Sequence, residues 1–358
     1  MQKLLISVPV AALLAIPPMA VPLSAFADTT LYGRIRNNLV YRDYGKSDTS
    51  TDGQWDVESH SSRFGFKGSE DLGGGLQALF QLEFQVDTSD GVGTSNEGPR
   101  TRLGWTGISG GWGTATIGRQ WSPYYGSVNK TDRFQMAQMN DYILMGTLAT
   151  LTGGSSEPIS NTTSRIGDMV LYASPEFYGF SGKAALIMAS EDDLPNLNNE
   201  NVDIVNISLD YANGPLSVGI SYMGYQGDND KTGTDFSYFD NDLWGIGAKY
   251  DFSDIFSLIA QYQSYDGSDN QQYALMGEYY FGNNTLRAVW ARADVDLDQA
   301  PDGDYDSYGI EAEHKFSKRT RIYASFYDSD LWSIGTDNNG RTETYDGTKY
   351  GMGIRHDF

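Results

Sequence analysis

From residue 29 onward, hydrophobic and polar positions alternate with a period of two, the spacing of a strand with two unlike faces. In LYGRIRNNLVYR, 31–42, Leu31, Gly33, Ile35, Leu39 and Tyr41 share one face, and Tyr32, Arg34, Arg36, Asn38 and Arg42 the other. In LQALFQLEFQVD, 76–87, Ala78, Phe80, Leu82, Phe84 and Val86 oppose Gln77, Gln81, Glu83, Gln85 and Asp87. WGIGAKYDF, 244–252, sets Trp244, Ile246, Ala248 and Tyr250 against Gly245, Gly247 and Lys249, and YGIEAEHKF, 308–316, sets Ile310 and Ala312 against Glu311, Glu313 and Lys315. GMGIRHDF, 351–358, closes the sequence in the same way, with Met352, Ile354 and Phe358 together.

Sixteen such segments are expected, starting near residues 30, 62, 76, 101, 113, 165, 182, 203, 215, 242, 255, 271, 285, 306, 319 and 346. Short turns (SGGWG, ANG, FGNN) alternate with long polar connections such as SEDDLPNLNNENVD. An even strand number and this asymmetry predict an all-β, 16-stranded antiparallel transmembrane barrel, closed so that no unpaired edge meets lipid. A water-soluble sandwich would alternate too. The apolar face, however, places Tyr41, Phe84, Trp105, Tyr250, Phe252, Tyr262, Phe281, Trp290, Phe316 and Phe358 near strand ends, as interfacial girdles require.

The connection from Gln120 to Ser164 is unlike the others. Its apolar residues (Ile143, Leu144, Met145, Leu148, Leu151) need a surface to pack on, and the interior of a wide barrel supplies one. Residues 120–164 are therefore expected to fold inward and narrow the channel. The loop carries Asp132 and Asp141; Arg119 and Arg165 bracket it, and the polar strand faces add Arg34, Arg36 and Arg63. A basic wall facing an acidic loop would set up a transverse field that orders water and favours small polar solutes. Arg42 and Arg355, nearer the barrel ends, are expected to pair with neighbouring carboxylates.

Composition narrows the setting. The 358-residue chain has a formal net charge of -22, no cysteine and three histidines. Disulfides and thiolate chemistry are excluded, and direct binding of nucleic acid is disfavoured. The start, with Lys3, an apolar run and Ala25-Phe26-Ala27, predicts a leader over 1–27 and a mature barrel of 28–358. Export without disulfides suits a two-membrane bacterium, with the barrel in its outer membrane.

Other chemistry is weakly signalled. His60 has no convincing serine partner for esterase work, and His314 and His356 fall on the apolar face. DGDYDSYGIEAE, 302–313, spaces Asp302, Asp304, Asp306 and Glu313 like a calcium loop, but Ser307 replaces the required glycine, so it reads as an acidic loop. Tyr124, Tyr125, Phe134 and Tyr142 could form a sugar-stacking track or anchor the loop. Neither a cofactor nor a structural metal is expected.

Three stretches resemble the trimeric general diffusion porins of Gram-negative bacteria: SRFGFKGSEDLGGGLQALFQLEF (62–84), WGTATIGRQWSPYY (112–125) and SRIGDMVLYASPEFYGFSG (164–182). TLYGRI and Phe358 resemble that family's ends. The resemblance implies a homotrimer, passive diffusion of small hydrophilic solutes and ions, and insertion by the outer-membrane assembly machinery, with Phe358 in its recognition signal. It places Arg119 and Arg165 on the basic side of the constriction. The family's PEFGG stretch is absent from the loop, which leaves Asp141 and Asp132 both open as the acidic counterpart. The surplus acid is expected to give a weak cation preference; it could also suit a saline habitat or hold divalent cations that bridge lipopolysaccharide, and the sequence does not choose among these. A sugar-selective channel is the alternative, and an outer-membrane enzyme a remote one.

Overall fold

The computed structural model describes residues 28–43, 53–90, 99–136, 164–188, 201–225, 242–265, 271–295, 303–336 and 342–358. The expected leader, 1–27, lies outside them. The strand segments are β1 (Asp28–Asp43), β2 (Gln54–Ser59), β3 (Arg63–Gly73), β4 (Leu76–Gln85), β5 (Arg100–Gly110), β6 (Gly113–Trp121), β7 (Arg165–Ile166), β8 (Met169–Ala173) and β9 (Phe180–Ile187). They continue as β10 (Ile204–Asn213), β11 (Leu216–Tyr225), β12 (Leu243–Ser253), β13 (Phe256–Tyr265), β14 (Gln271–Phe281), β15 (Asn284–Val295), β16 (Gly303–Lys315), β17 (Thr320–Thr336) and β18 (Thr342–Asp357). Among the described residues a short helix, α1 (Pro123–Val128), follows β6.

These segments form sixteen staves. β2 and β3 pair with successive parts of β1, Asn37–Arg42 and Asp28–Arg34, and so make one stave. β7 and β8 likewise both pair with β6. The sheet closes where β18 pairs with β1, from Arg34 opposite Asp357 to Asp43 opposite Thr348. Among the described residues closure pairs the first and last strands, which is what a hydrocarbon surround demands. At the seam Gly33 and Phe358 exchange two backbone hydrogen bonds of 3.0 and 3.1 Å. A Cβ on Gly33 would stand 2.3 Å from the Phe358 ring, so the glycine makes room for the aromatic.

The stave built from β2 and β3 begins at Gln54, earlier than its sequence pattern suggests, because it is interrupted at His60–Ser62. Ser61 there has a φ of 54°. The interruption is patched from inside the wall: Arg36 Nε donates to the His60 carbonyl at 2.6 Å, and Arg36 N to Ser62 Oγ at 2.9 Å. Thr88 Oγ1 adds a 3.0 Å bond to Ser59 Oγ.

The outer face is apolar, as the alternation predicts. Leu31, Ile117, Ile207, Leu209, Ile310, Met352 and Ile354 are all exposed. Aromatic clusters band both ends. Tyr41, Trp55 and Tyr350 lie 5.0–5.8 Å apart at the end bearing the long connections, and Tyr250, Phe252 and Phe256 mark the end with tight turns. Trp105 departs from its expected place. It pairs in register with Gln81, whose amide bonds the inward Tyr32 hydroxyl, while its neighbours Thr106 and Ile108 take the exposed face. Trp105 therefore belongs to the inner wall.

The acidic stretch 302–313 is also corrected: from Gly303 it is strand β16. Asp306 and Glu313 sit seven residues apart, or about 23 Å along a strand, and on opposite faces. Asp306 is held by Arg292 Nη2 at 2.7 Å, and Glu313 faces Arg287 at 3.4 Å. They cannot share a cation. The polar stretch 328–348 likewise lies mostly in the long hairpin of β17 and β18.

Candidate channel wall and inward segment

The segment after β6 begins with its own stop signal. Ser122 caps α1, its Oγ accepting from Tyr125 N at 3.0 Å, and Pro123 takes the first helical position, where a missing N–H costs nothing. The helix then lies on the inner wall of β11 and β12, where side chains have been removed to receive it. A Cβ on Gly219 would meet Ser127 O at 2.3 Å, one on Gly245 the Tyr124 hydroxyl at 2.6 Å, and one on Gly247 the Val128 carbonyl at 2.1 Å. Gly247→Leu is therefore expected to lift α1 from its bed. The readout is a fall of several degrees in the heat-induced unfolding midpoint with a changed unit conductance, consistent with an overpacking cost of about 1–3 kcal/mol.

Side chains from successive staves then hold the segment as it crosses. Tyr124 N donates to Asn206 Oδ1 at 2.8 Å, and Tyr124 Oη to Gln263 Oε1 at 3.0 Å. Ser127 Oγ donates to Asp210 at 2.7 Å and Thr131 Oγ1 to Gln261 at 3.1 Å. Burial holds the Lys130 ammonium below its usual pKa, an effect that Asp210, 3.7 Å away, only partly offsets. Arg133 Nε pairs with Glu278 at 2.8 Å. Gln135 N donates to Glu311 Oε2 at 2.7 Å, and Gln135 Oε1 accepts from Arg355 Nη1 at 3.0 Å. Met136 is fully buried with Val40 and Tyr323. Residues 122–136 thus run along the interior polar faces from β10 round to β18.

Behind Glu278 and Glu311 sits an ion cluster that sequence reading left unassigned. Arg287 Nε bonds Glu278 at 2.7 Å, and its Nη1 bonds Glu311 at 2.7 Å, with Glu313 at 3.4 Å. The three glutamate side chains are wholly buried. The alternation had already put Glu311 and Glu313 on the inner face; what it lacked was the partner strand's register.

The basic residues gather on the opposite arc. Arg34 pairs with Asp357 at 2.7 Å, and Arg63 lies 3.5 Å from Glu83. Arg102, absent from the sequence-derived set, bonds Glu83 at 2.8 Å and is close enough to Arg165 for their charges to repel. Arg355 also belongs here, and it pairs with Asp357 at 2.9 Å as expected of it. Arg36 is nearly buried and serves the wall at His60, so its charge reaches the water less directly than that of Arg34. Arg119 sits on β6 beside Gly118, whose φ of 120° breaks the regular strand geometry.

At the neck of the excursion β6 and β7 pair Trp121 with Arg165 and Gln120 with Ile166. The Arg165 guanidinium lies 4.9 Å from the Trp121 ring centroid. Tyr125, one helical turn on, stacks on the same indole at 4.5 Å and 17°. Tyr125 Oη then donates to Asp132. Asp132 thus stands in the described segment. Asp141 and Tyr142 lie outside the described residues. Of the other aromatics, Tyr124 and Phe134 are buried in the packing, and Arg165 and Tyr125 both stack on Trp121.

A family model described as Gram-negative porin matches residues 10–331. The major outer membrane protein P.IB of Neisseria meningitidis serogroup A is 29% identical over 365 residues, spanning 97% of this chain and 99% of that one. An outer membrane porin protein of Bordetella pertussis is 27% identical, spanning 93% and 95%. Among solved structures, an anion-selective porin from Comamonas acidovorans superposes with a TM-score of 0.71 at 23% identity, covering 93% of this chain and 100% of that one. Salmonella typhi OmpF, solved with daunomycin, gives 0.71 at 17%, covering 92% and 97%. These structures share the fold, and the family match runs through nearly all of the barrel. The chain belongs to the Gram-negative porin family, and is a multi-pass outer-membrane channel, not an enzyme.

Proposed function

We propose that this general diffusion channel is narrowed at mid-height by residues 120–164, between a basic arc of Arg34, Arg63, Arg102, Arg119 and Arg165 and acids of the loop, Asp132 and Asp141. The observation that carries this reading is the run of bonds from Tyr124 to Gln135, which ties the described part of the loop to the interior wall. Arg36 contributes mainly by supporting the wall. Small hydrophilic solutes and ions pass, and the surplus acid of the long connections gives a weak cation preference at low salt. The Comamonas porin is described as anion-selective. The arginine arc pulls in that direction here, so the two charge sets oppose each other. A stacking site for sugars is disfavoured by the neighbours already stacked on Trp121.

The functional unit is a homotrimer inserted by the outer-membrane assembly machinery, with Phe358 in the recognition signal. Divalent cations bridge its acidic outer connections to lipopolysaccharide. The test is reconstitution of purified protein in a planar bilayer. Steady conductance steps closing in threes are expected, and Arg119→Gln or Arg165→Gln should raise cation permeability. Folded, heat-modifiable protein without conductance would refute the channel, and both variants behaving like the parent would refute the constriction.

A further inference from the structure

We propose that Trp121, an uncharged residue, is a specificity-determining positioning residue: it holds the Arg165 charge at a fixed place beside the channel. This rests on the constriction reading above. Three independent features meet at the indole. The β6–β7 ladder sets Arg165 directly opposite Trp121, so the guanidinium reaches the ring without a long excursion. Ser122 caps α1 and Pro123 starts it, which fixes Tyr125 one turn on, with its ring parallel to the indole. Asp132 accepts from the far end of Tyr125, tying the stack to the inward segment. The result is a continuous series of guanidinium, indole, phenol and carboxylate joining the basic arc to the acidic side.

Such a series restrains a side chain that is otherwise costly to order. A free arginine samples many rotamers, and its time-averaged field in the channel is smeared. A guanidinium on an aromatic face is both held in place and weakly hydrated, so it keeps its charge while losing its freedom. The Arg102 charge opposes that of Arg165, and the indole face is one of the contacts that hold Arg165 against it, so replacing the indole is expected to loosen the guanidinium. Trp121 then acts on permeation only through Arg165.

The experiment measures reversal potential and open-channel noise in about 0.1 M salt for R165Q, W121L, W121F, Y125L and the W121L/R165Q double variant, with heat-modifiable migration as the folding control. A unit charge about 8 Å from a passing ion in water changes that ion's local population about two-fold, which sets the scale expected for R165Q. W121L should shift the cation-to-anion permeability ratio in the same direction, by less, and raise the noise. W121F keeps a ring under the guanidinium and should return most of the way to the parent. In the R165Q background W121L should add nothing. An unaltered ratio in W121L beside a shifted R165Q, or additive shifts in the double variant, would overturn the positioning role and leave Trp121 as packing. An unaltered R165Q would overturn the proposal at its root, and together with an unaltered Arg119→Gln it would overturn the constriction reading itself. If W121L does not fold, Y125L gives the same decision: it removes the lower half of the stack and should shift the ratio partway, and a folded Y125L identical to the parent refutes the proposal.

Discussion

Replacing Glu311 with alanine is expected to turn a quiet channel into a flickering, heat-labile one. The carboxylate is fully buried and faces donors on both sides. Oε2 accepts from Gln135 N at 2.7 Å, Met136 N at 3.4 Å and Ser325 Oγ at 2.7 Å, while Oε1 accepts from Arg287 at 2.7 Å. Alanine strands two backbone amides of the inward segment and takes one of three anions from Arg287. Breaking a buried, hydrogen-bonded ion pair by removing one partner costs about 3–5 kcal/mol. Glu278 and Glu313 still compensate Arg287, so the expected loss lies at the lower end of that range. Glutamine should be intermediate for a geometric reason. It has one acceptor end, and the site presents donors to both, so its amide must point at either Arg287 or the segment's N–H groups. Arg133→Ala, by contrast, cuts a pair whose cation is more than a third exposed, and should be milder. The decisive measurement is open-channel noise alongside the unfolding midpoint. Parental values of both in Glu311→Ala would mean that the segment is held elsewhere, by Tyr124 and Thr131.

Much of the barrel was legible because lipid imposes a strict rule. Each stave must alternate and must pair on both sides, so a period-two pattern with turn chemistry gives strand number and order directly. The exceptions share one cause. Trp105 was misplaced because the register shifts between Glu83 and Phe84, and an aromatic on the inner wall looks the same in sequence as one in a girdle. The His60–Ser62 interruption and the strand from Gly303 were misread for the complementary reason. A polar residue such as Asp304 or Asp306 is compatible with a loop, or with a strand that has risen above the aromatic band into water.

The site was less legible. That Arg34, Arg63 and Arg165 face inward followed from alternation or from resemblance. Arg102 and Arg287 needed the pairing of neighbouring staves, since a cluster of charges is made by register across strands, not by spacing along one. The glycine bed under α1 was written in LWGIGAKY, but a small residue in a strand can mean a bulge, a turn or a close approach. Only the helix lying on it decides which. Trp121 and Tyr125, four residues apart, signal a contact only once Ser122 and Pro123 are seen to start a helix between them.

The opposition between acidic connections and arginine arc leads to the second large effect: selectivity should change with salt, and change sign of preference if the arc is strong enough. The long connections carry acid in runs, as in Glu191-Asp192-Asp193 and Asp228, Asp230, Asp235 and Asp240. At about 0.01 M salt the Debye length is roughly 30 Å, so on the proposed reading these charges are expected to act together and enrich cations near the channel. At about 1 M it is roughly 3 Å, and an ion then feels only charges it almost touches. On the proposed reading the nearest charges are the partly exposed Arg34, Arg63 and Arg165 against Asp357 and Asp132, an excess of base, while Arg102 and Glu83 neutralise each other inside the wall. Under a tenfold gradient at low salt the dilute side should turn positive, the sign for cation preference. With the same ratio centred near 1 M, the potential should shrink toward zero or reverse, a change of at least about two-fold in the permeability ratio if one net charge governs the narrow zone. Arg165→Gln should move the potential toward cation preference at both salts, and its share of the selectivity should be largest at high salt, where the mouth acids are screened. A cation preference that is equally strong at both salts would mean that acids of the loop, not the arginine arc, line the narrowest point. Anion preference already at low salt would mean that the acidic connections stand too far from the ion path to matter, whatever their number.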